Sequence, residues 1–309
     1  MGSMCRLSVV LGTILLLVGT AAGQVADGGG EVAKEPPAPE IPPGASVVGI
    51  DELVAGDACV QACLHENQMV AVGYEVLLAR CRESCRVDRA LELVKSTDPE
   101  RYREGVLILC DTTDPRAAAP LVEALRRDLR ERTGLWASII PALGALRADE
   151  AVPLLIGTLN DLDEFWLGRE ASARALGEIG NPEAIPALTA AAYRADTRAD
   201  AIRALAGFHD ARVAEPLLDA LQEGEEPEVR EAALAGLRGL GLLAVPALLE
   251  AFGEYNPEYP ETARRVEICT LLGESGDPGA LARLRAARSD PDPAVAHCAA
   301  RYTGGGRGR

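Results

Sequence analysis

Residues Ala175 to Leu188 read ALGEIGNPEAIPAL. An apolar helix pattern, already running in REASARALGEIG from Arg169, ends at Gly180, a residue suited to the left-handed backbone of a helix terminus. Asn181 and Pro182 follow as a cap and a first-turn proline, so a second helix begins at once. The block therefore reads as a helical hairpin.

The hairpin recurs. Five segments align on a proline followed by apolar residues: DPRAAAPLVEAL from Asp114, DEAVPLLIGTL from Asp149, NPEAIPALTAA from Asn181, DARVAEPLLDAL from Asp210 and LLAVPALLEAF from Leu242. The aligned residues are Pro120, Pro153, Pro186, Pro216 and Pro246, and their spacings of 33, 33, 30 and 30 residues define a repeat period. DPGALARLRAA from Asp277 continues the series without its proline. The preceding helices, such as RADAIRALAGF from Arg198 and PEVREAALAGLRGLG from Pro227, place small Ala residues at inner positions, where helices approach closely.

The ALGEIGNPEAIPAL block and its weaker copies resemble the HEAT-like repeats of the short bacterial type also found in phycobilin lyases. The resemblance covers 98–302 and implies an all-α fold, a right-handed α-solenoid of stacked hairpins. One hairpin cannot hide its own apolar face, so units must stack on their neighbours. Six full repeats are expected, 98–129, 130–161, 162–195, 196–224, 225–255 and 256–289, with a half repeat, 290–302, closing the end.

Ahead of the repeats, Arg6 precedes the apolar stretch Leu7 to Val18, and small residues follow to Gly23. This is the layout of a cleaved secretory signal, set against the alternative of an uncleaved anchor. Cys5 precedes the apolar run and leaves with the signal. Residues 24–49 are rich in Pro and Gly and have almost no large apolar side chain until Val47, which describes a disordered tether. The expected division is a signal peptide (1–23), tether (24–49), cysteine-bearing helical hairpin (50–97), solenoid (98–303) and a flexible Gly/Arg tail (304–309). The expected location is extracytoplasmic, periplasmic or secreted, with no stable membrane insertion once the signal is gone.

Cys59, Cys63, Cys81 and Cys85 form two C-x3-C pairs separated by seventeen residues. On helices each pair lies on one face, and an antiparallel hairpin turning near Val72 and Gly73 brings Cys63 to Cys81 and Cys59 to Cys85. An oxidising compartment favours two disulfides, the inner one worth about 3 kcal/mol in the chain-entropy model. The alternatives are a four-thiolate zinc or iron site, whose usual knuckle is C-x2-C, and a redox dithiol, which prefers C-x-x-C. The spacing is similar to the twin C-x3-C hairpins of small mitochondrial intermembrane-space chaperones, with nothing else matching. The block is expected to cap the first repeat. Cys269 and Cys298 fall on the first helices of adjacent C-terminal units and form a possible third bridge, although their helix positions are not equivalent. Cys110, in GVLILCDT, reads as a small buried hydrophobe.

The chain is 48% apolar but only 4% aromatic, so Ala, Leu, Val and Ile build the core, as closely packed helices allow. A formal charge of −16 argues against nucleic acid as a partner. No catalytic constellation is found among the three histidines, His65, His209 and His297, and no cofactor or metal is assigned. His65-Glu66 lies in the cysteine block, whereas the HEAT-repeat di-iron hydroxylases carry His-Glu pairs within their repeats; Asp210, beside His209, reads as a helix cap. The expected partner is another protein. Its candidate contacts are Phe165 and Trp166 in NDLDEFWLGRE, and Tyr255, Tyr259, Glu254 and Glu258 in GEYNPEYPET, where aromatics beside acids suit a cationic or amphipathic segment. Alternatively, Phe165 or Trp166 starts its helix and packs inward. The expected function is a non-enzymatic scaffold or adaptor, against a lyase-like or chaperone-like factor, or a metal-binding protein acting through the four cysteines.

Overall fold

The computed structural model describes residues 57–66, 74–161, 166–222, 225–253 and 261–304. The proposed signal, the tether, the turn near Val72 and Gly73 and the tail from 305 lie outside them. Among the described residues the fold is all-helical. Two helices come first, α1 (Ala58–Glu66) and α2 (Tyr74–Leu93). Six hairpins follow: α3 (Pro99–Cys110) with α4 (Ala118–Glu131), α5 (Trp136–Ala145) with α6 (Val152–Asn160), and α7 (Trp166–Ile179) with α8 (Ile185–Ala192). The others are α9 (Arg198–Leu205) with α10 (Ala214–Asp219), α11 (Pro227–Leu240) with α12 (Val245–Gly253), and α13 (Thr262–Ser275) with α14 (Pro278–Ala286). A single helix, α15 (Pro293–Thr303), ends the series.

The motif at 175–188 shows how one hairpin is made. Gly180 has φ +75, which a side chain would strain, and the Asn181 carboxamide oxygen accepts the Glu183 N–H at 3.0 Å. A single 3-10 turn, Pro182–Ala184, then leads into α8, and Pro186 sits in its first turn, where its missing N–H costs no helical bond. Asp114, Asp210 and Asp277 cap the corresponding turns. Gly177 explains the close stacking: a Cβ there would meet Ala204 Cα at 2.8 Å, so α7 and α9 approach nearer than any side chain would permit.

One continuous apolar core runs from Val87 to Ala299. Residues 227–253 are, among the described residues, the one stretch long and apolar enough to cross a membrane, with mean hydropathy 1.8. Here, however, Gly241 at φ +54 breaks the stretch, and α11 and α12 bury Val229, Leu237, Leu248 and Phe252 against neighbouring repeats.

Candidate functional site: the stapled ends and the solvent-facing helix surfaces

The four N-terminal cysteines pair as the antiparallel geometry requires. Cys59 bonds Cys85 and Cys63 bonds Cys81, with Cα separations of 5.9 and 5.6 Å. Asp57 accepts the Val60 N–H at 3.2 Å and starts α1. Among the described residues, Val60, Leu64, Leu78 and Cys81 are buried in this small core, which is separate from the main one. Both thiols of each pair are consumed, which leaves no thiolates here for a zinc or iron site.

Helix α2 belongs to both cores. Leu78 and Cys81 face the disulfide cluster, whereas Val87 and Ala90 join the repeats. Its polar side grips the turn between α3 and α4: Arg86 donates to Asp111 Oδ2 at 3.0 Å, Thr112 Oγ1 donates to Glu83 at 2.5 Å, and Arg116 donates to Asp88 at 2.6 Å. The Thr112 bond, aided by Arg86, holds the Glu83 carboxyl below its ordinary range. The stapled hairpin thus covers the first repeat.

At the other end Cys269 bonds Cys298, with Cα atoms 6.4 Å apart. Their non-equivalent positions are what stacking requires, because one helix meets the next front to back, through different faces. Arg265, on the same helix α13, is buried and donates to Asp290 at 3.1 and 2.7 Å. That bond holds the Asp290 carboxyl below its usual range against the opposing effect of burial.

The sequence reading did not single out a ladder of arginines to which Arg265 belongs. Arg169 pairs with Asp196, Arg198 with Glu225 and Arg230 with Glu267, at 2.9, 2.7 and 2.9 Å. Each also donates to a carbonyl near the end of a second helix: Asp161, Ala192 and Gln222 respectively. A carbonyl left open by a helix end and a carboxylate of the next repeat are satisfied together. Glu225, just ahead of α11, is committed to Arg198. The signal was available as an arginine near the start of successive first helices.

Trp166 opens α7 and stays 53% exposed, beside Leu167 at 42%, so it does not pack inward. Next to this pair lies a groove of about 350 Å³ between α5 and α7, lined by Trp136, Pro141, Leu167 and Ala171. Phe165, Glu254, Tyr255, Glu258 and Tyr259 fall outside the described residues. Leu242 and Leu243, exposed by 65% and 41%, add an apolar turn where the other hairpins carry polar residues. Tyr193, which the sequence reading passed over, is 55% exposed and donates its hydroxyl to Asp219 at 2.7 Å. Burial of part of the ring and that bond to Asp219 push its hydroxyl up to about 12.

His209, Asp210 and Cys110 take structural places. His209 Nδ1 lies 3.1 Å from the Gly239 carbonyl, while Asp210 accepts the Arg212 N–H at 2.9 Å as a cap. Burial pushes the Cys110 thiol up to about 12, far from a reactive thiolate. Among the described residues no group of three or more His, Cys, Asp or Glu side chains is arranged to hold a metal ion.

Comparison with known families agrees with this geometry. Residues 135–197 match HEAT repeats, and residues 197–223 match the PBS lyase HEAT-like repeat. The chain carries HEAT-like repeats. It is 30% identical over 102 residues to a deoxyhypusine hydroxylase of Coccidioides immitis (strain RS), covering 32% of this chain and 29% of the relative. It is 37% identical over 98 residues to the bilin biosynthesis protein PecE of Mastigocladus laminosus, covering 31% of this chain and 36% of the relative. The chain thus spans about a third of the length of the curated relatives it matches. Among solved structures it is similar to human deoxyhypusine hydroxylase in complex with glycerol, at 19% identity, covering 73% of this chain and 97% of that one, with a TM-score of 0.30. An engineered protein matches at 18% identity, covering 71% of this chain and 95% of that one, with a TM-score of 0.29. Scores at this level add nothing to the HEAT-repeat assignment, which rests on the repeats themselves.

Proposed function

We propose that this HEAT-repeat chain is an exported scaffold or adaptor that holds another protein. The observation carrying the reading is that Trp166 stands in solvent beside the exposed Leu167, and Leu167 lines a groove between α5 and α7 together with Trp136, Pro141, Arg174 and Glu178. An exposed tryptophan beside a pocket is the side-chain type that dominates protein interfaces. Three disulfides support an oxidising compartment, in keeping with the signal-like N-terminus. The reading assigns no reaction to the chain.

Two measurements test it. Intact mass and peptide mapping of protein exported by a native-like secretion route should find a chain starting near Gln24 with all three bridges closed; free thiols on a chain retaining Met1 would overturn export. A photo-cross-linking residue at position 166 of that exported protein should capture a discrete polypeptide, and one at the buried position 176 should not. Equal capture at both positions, or none at either, would remove the adaptor.

A lyase-like or chaperone-like role has one observation in its favour, the match of residues 197–223 to the PBS lyase HEAT-like repeat. Incubating the purified chain with a linear tetrapyrrole checks it: a visible chromophore retained through gel filtration supports ligand handling, and an unchanged spectrum removes it.

A further inference from the structure

The second helices of the hairpins form a row, with α6 packed on α8, α10 on α12 and α12 on α14. Charge along this row is strongly uneven. Helices α6 (VPLLIGTLN) and α8 (IPALTAAA) carry no ionisable side chain. Helices α10 and α12 carry Glu215, Asp219 and Glu250 and no cation. Tyr193 stands at the junction between the two zones, tied to Asp219 through its hydroxyl and 55% exposed.

A groove of about 420 Å³ lies between α10 and α12, with Glu215, Asp219, Ala247 and Glu250 among its walls. The two arginines that border it are engaged elsewhere, Arg212 with Asp210 at 2.7 Å and Arg264 with Glu261 at 2.9 Å. Among the described residues, none of the three groove carboxylates is in an ion pair. The groove is thus concave and electronegative, and it continues into α6 and α8, two helices that carry no ionisable side chain to desolvate.

We infer that this face takes a basic, amphipathic segment of a partner protein, its apolar part laid over α6 and α8 against Tyr193 and its Lys or Arg side chains in the groove between α10 and α12. The inference rests on the adaptor reading and gives the partner a chemistry. Charge complementarity selects the occupant: covering unpaired carboxylates is costly unless cations arrive with the partner, and the Tyr193 ring offers its face to the alkyl stem or guanidinium of an incoming side chain. A second copy of a chain with net charge −16, or a nucleic acid, brings the wrong sign.

The test uses the full exported chain and a fluorescein-labelled peptide with an apolar first half and four lysines in its second half. Two controls carry Glu or Gln in place of the lysines. Anisotropy titrations should show saturable binding of the lysine peptide, weakened by salt, and none of the Glu peptide. The triple variant E215Q, D219N and E250Q should weaken binding by about tenfold or more with an unchanged melting temperature. Y193A should weaken binding of the lysine peptide separately. Equal binding of the Lys and Gln peptides, an unaffected triple variant or no binding at all would overturn the inference. Photo-cross-linkers at 193 and 166 separate its failure from that of the adaptor reading. Capture at 166 alone keeps the adaptor and rejects this face, whereas no capture at either position rejects both.

Discussion

The N-terminal end and the middle of the stack solve the same packing problem by opposite means. In the middle, from α5 to α9, the first helices approach so closely that a Cβ on Gly144 would meet Ala175 Cα at 3.0 Å and one on Gly177 would meet Ala204 Cα at 2.8 Å. No disulfide joins these helices among the described residues. At the N-terminal end, α1 buries Val60 and Leu64 in a separate small core, with Cys63 partly buried against it, and two disulfides tie it to α2. A repeat in the middle has a neighbour on each side to bury its apolar face, whereas a terminal unit has only one. Covalent bonds stand in at the end for area that stacking cannot supply.

The comparison breaks most visibly at the staple. Replacing Cys59 and Cys63 by Ser removes both bridges and costs α1 about 3 kcal/mol for each in the loop-entropy model, more than its two buried side chains can offset. Hydrogen exchange should then show α1 and the start of α2 unprotected, while the Val87–Ala90 turn, which packs in the main core, keeps its protection. Uniform loss of protection across all repeats would mean that the staple supports the whole stack and that the ends and middle are not separate.

The C-terminal end adds a polar lock. Asp290→Asn leaves the buried Arg265 guanidinium without its carboxylate and should lower stability by about 3 kcal/mol. The pH dependence carries a sign. The folded Asp290 carboxyl is held below its unfolded value, so its contribution is present above the ordinary aspartate range and is lost as pH falls through the folded value. Acid titration of the melting temperature should therefore be steeper in the wild type than in the variant. Parallel curves would exclude the pair from acid unfolding.

For the middle, Gly177→Ala inserts one methyl against Ala204 and should cost about 1–3 kcal/mol through overpacking, despite the better helix propensity of alanine. Gly157→Ala is the control, since a Cβ there meets nothing within 4 Å. A stabilised Gly177 variant would show that the close approach of α7 and α9 is not needed.

Much of this was legible in the sequence because the repeat writes its local physics several times. The Gly180, Asn181 and Pro182 junction, the aligned prolines and the C-x3-C pairs each have a local cause, and each forms in the expected place. The partner surface was less legible, since it depends on which side chains the stacking leaves over. Tyr193 lies in an Ala-rich run and becomes notable only when Asp219, twenty-six residues later, is brought to its hydroxyl. The arginine ladder stayed hidden for the same reason: Arg169 and Asp196 are ordinary charged residues until adjacent repeats set them side by side. The Cys269–Cys298 bridge looked geometrically doubtful because equivalence was expected, whereas stacked helices touch through non-equivalent faces.

The smallest effect tests how finely the repeat is tuned. Ser172 is fully buried in α7, and its hydroxyl has no hydrogen-bond partner. The corresponding positions in α9 and α11 are Ala201 and Ala233, also fully buried. An unpaired buried hydroxyl is a desolvation cost without a compensating bond, and alanine is the better helix former, so Ser172→Ala should raise stability by about 1 kcal/mol. Ser172→Val, which adds volume where α7 packs among its neighbours, should instead destabilise. A gain for alanine with a loss for valine would show that the middle of the stack is limited by close packing rather than by polarity. A loss for alanine would mean that the hydroxyl makes a contact in solution, and the serine would then be a specific feature of this repeat.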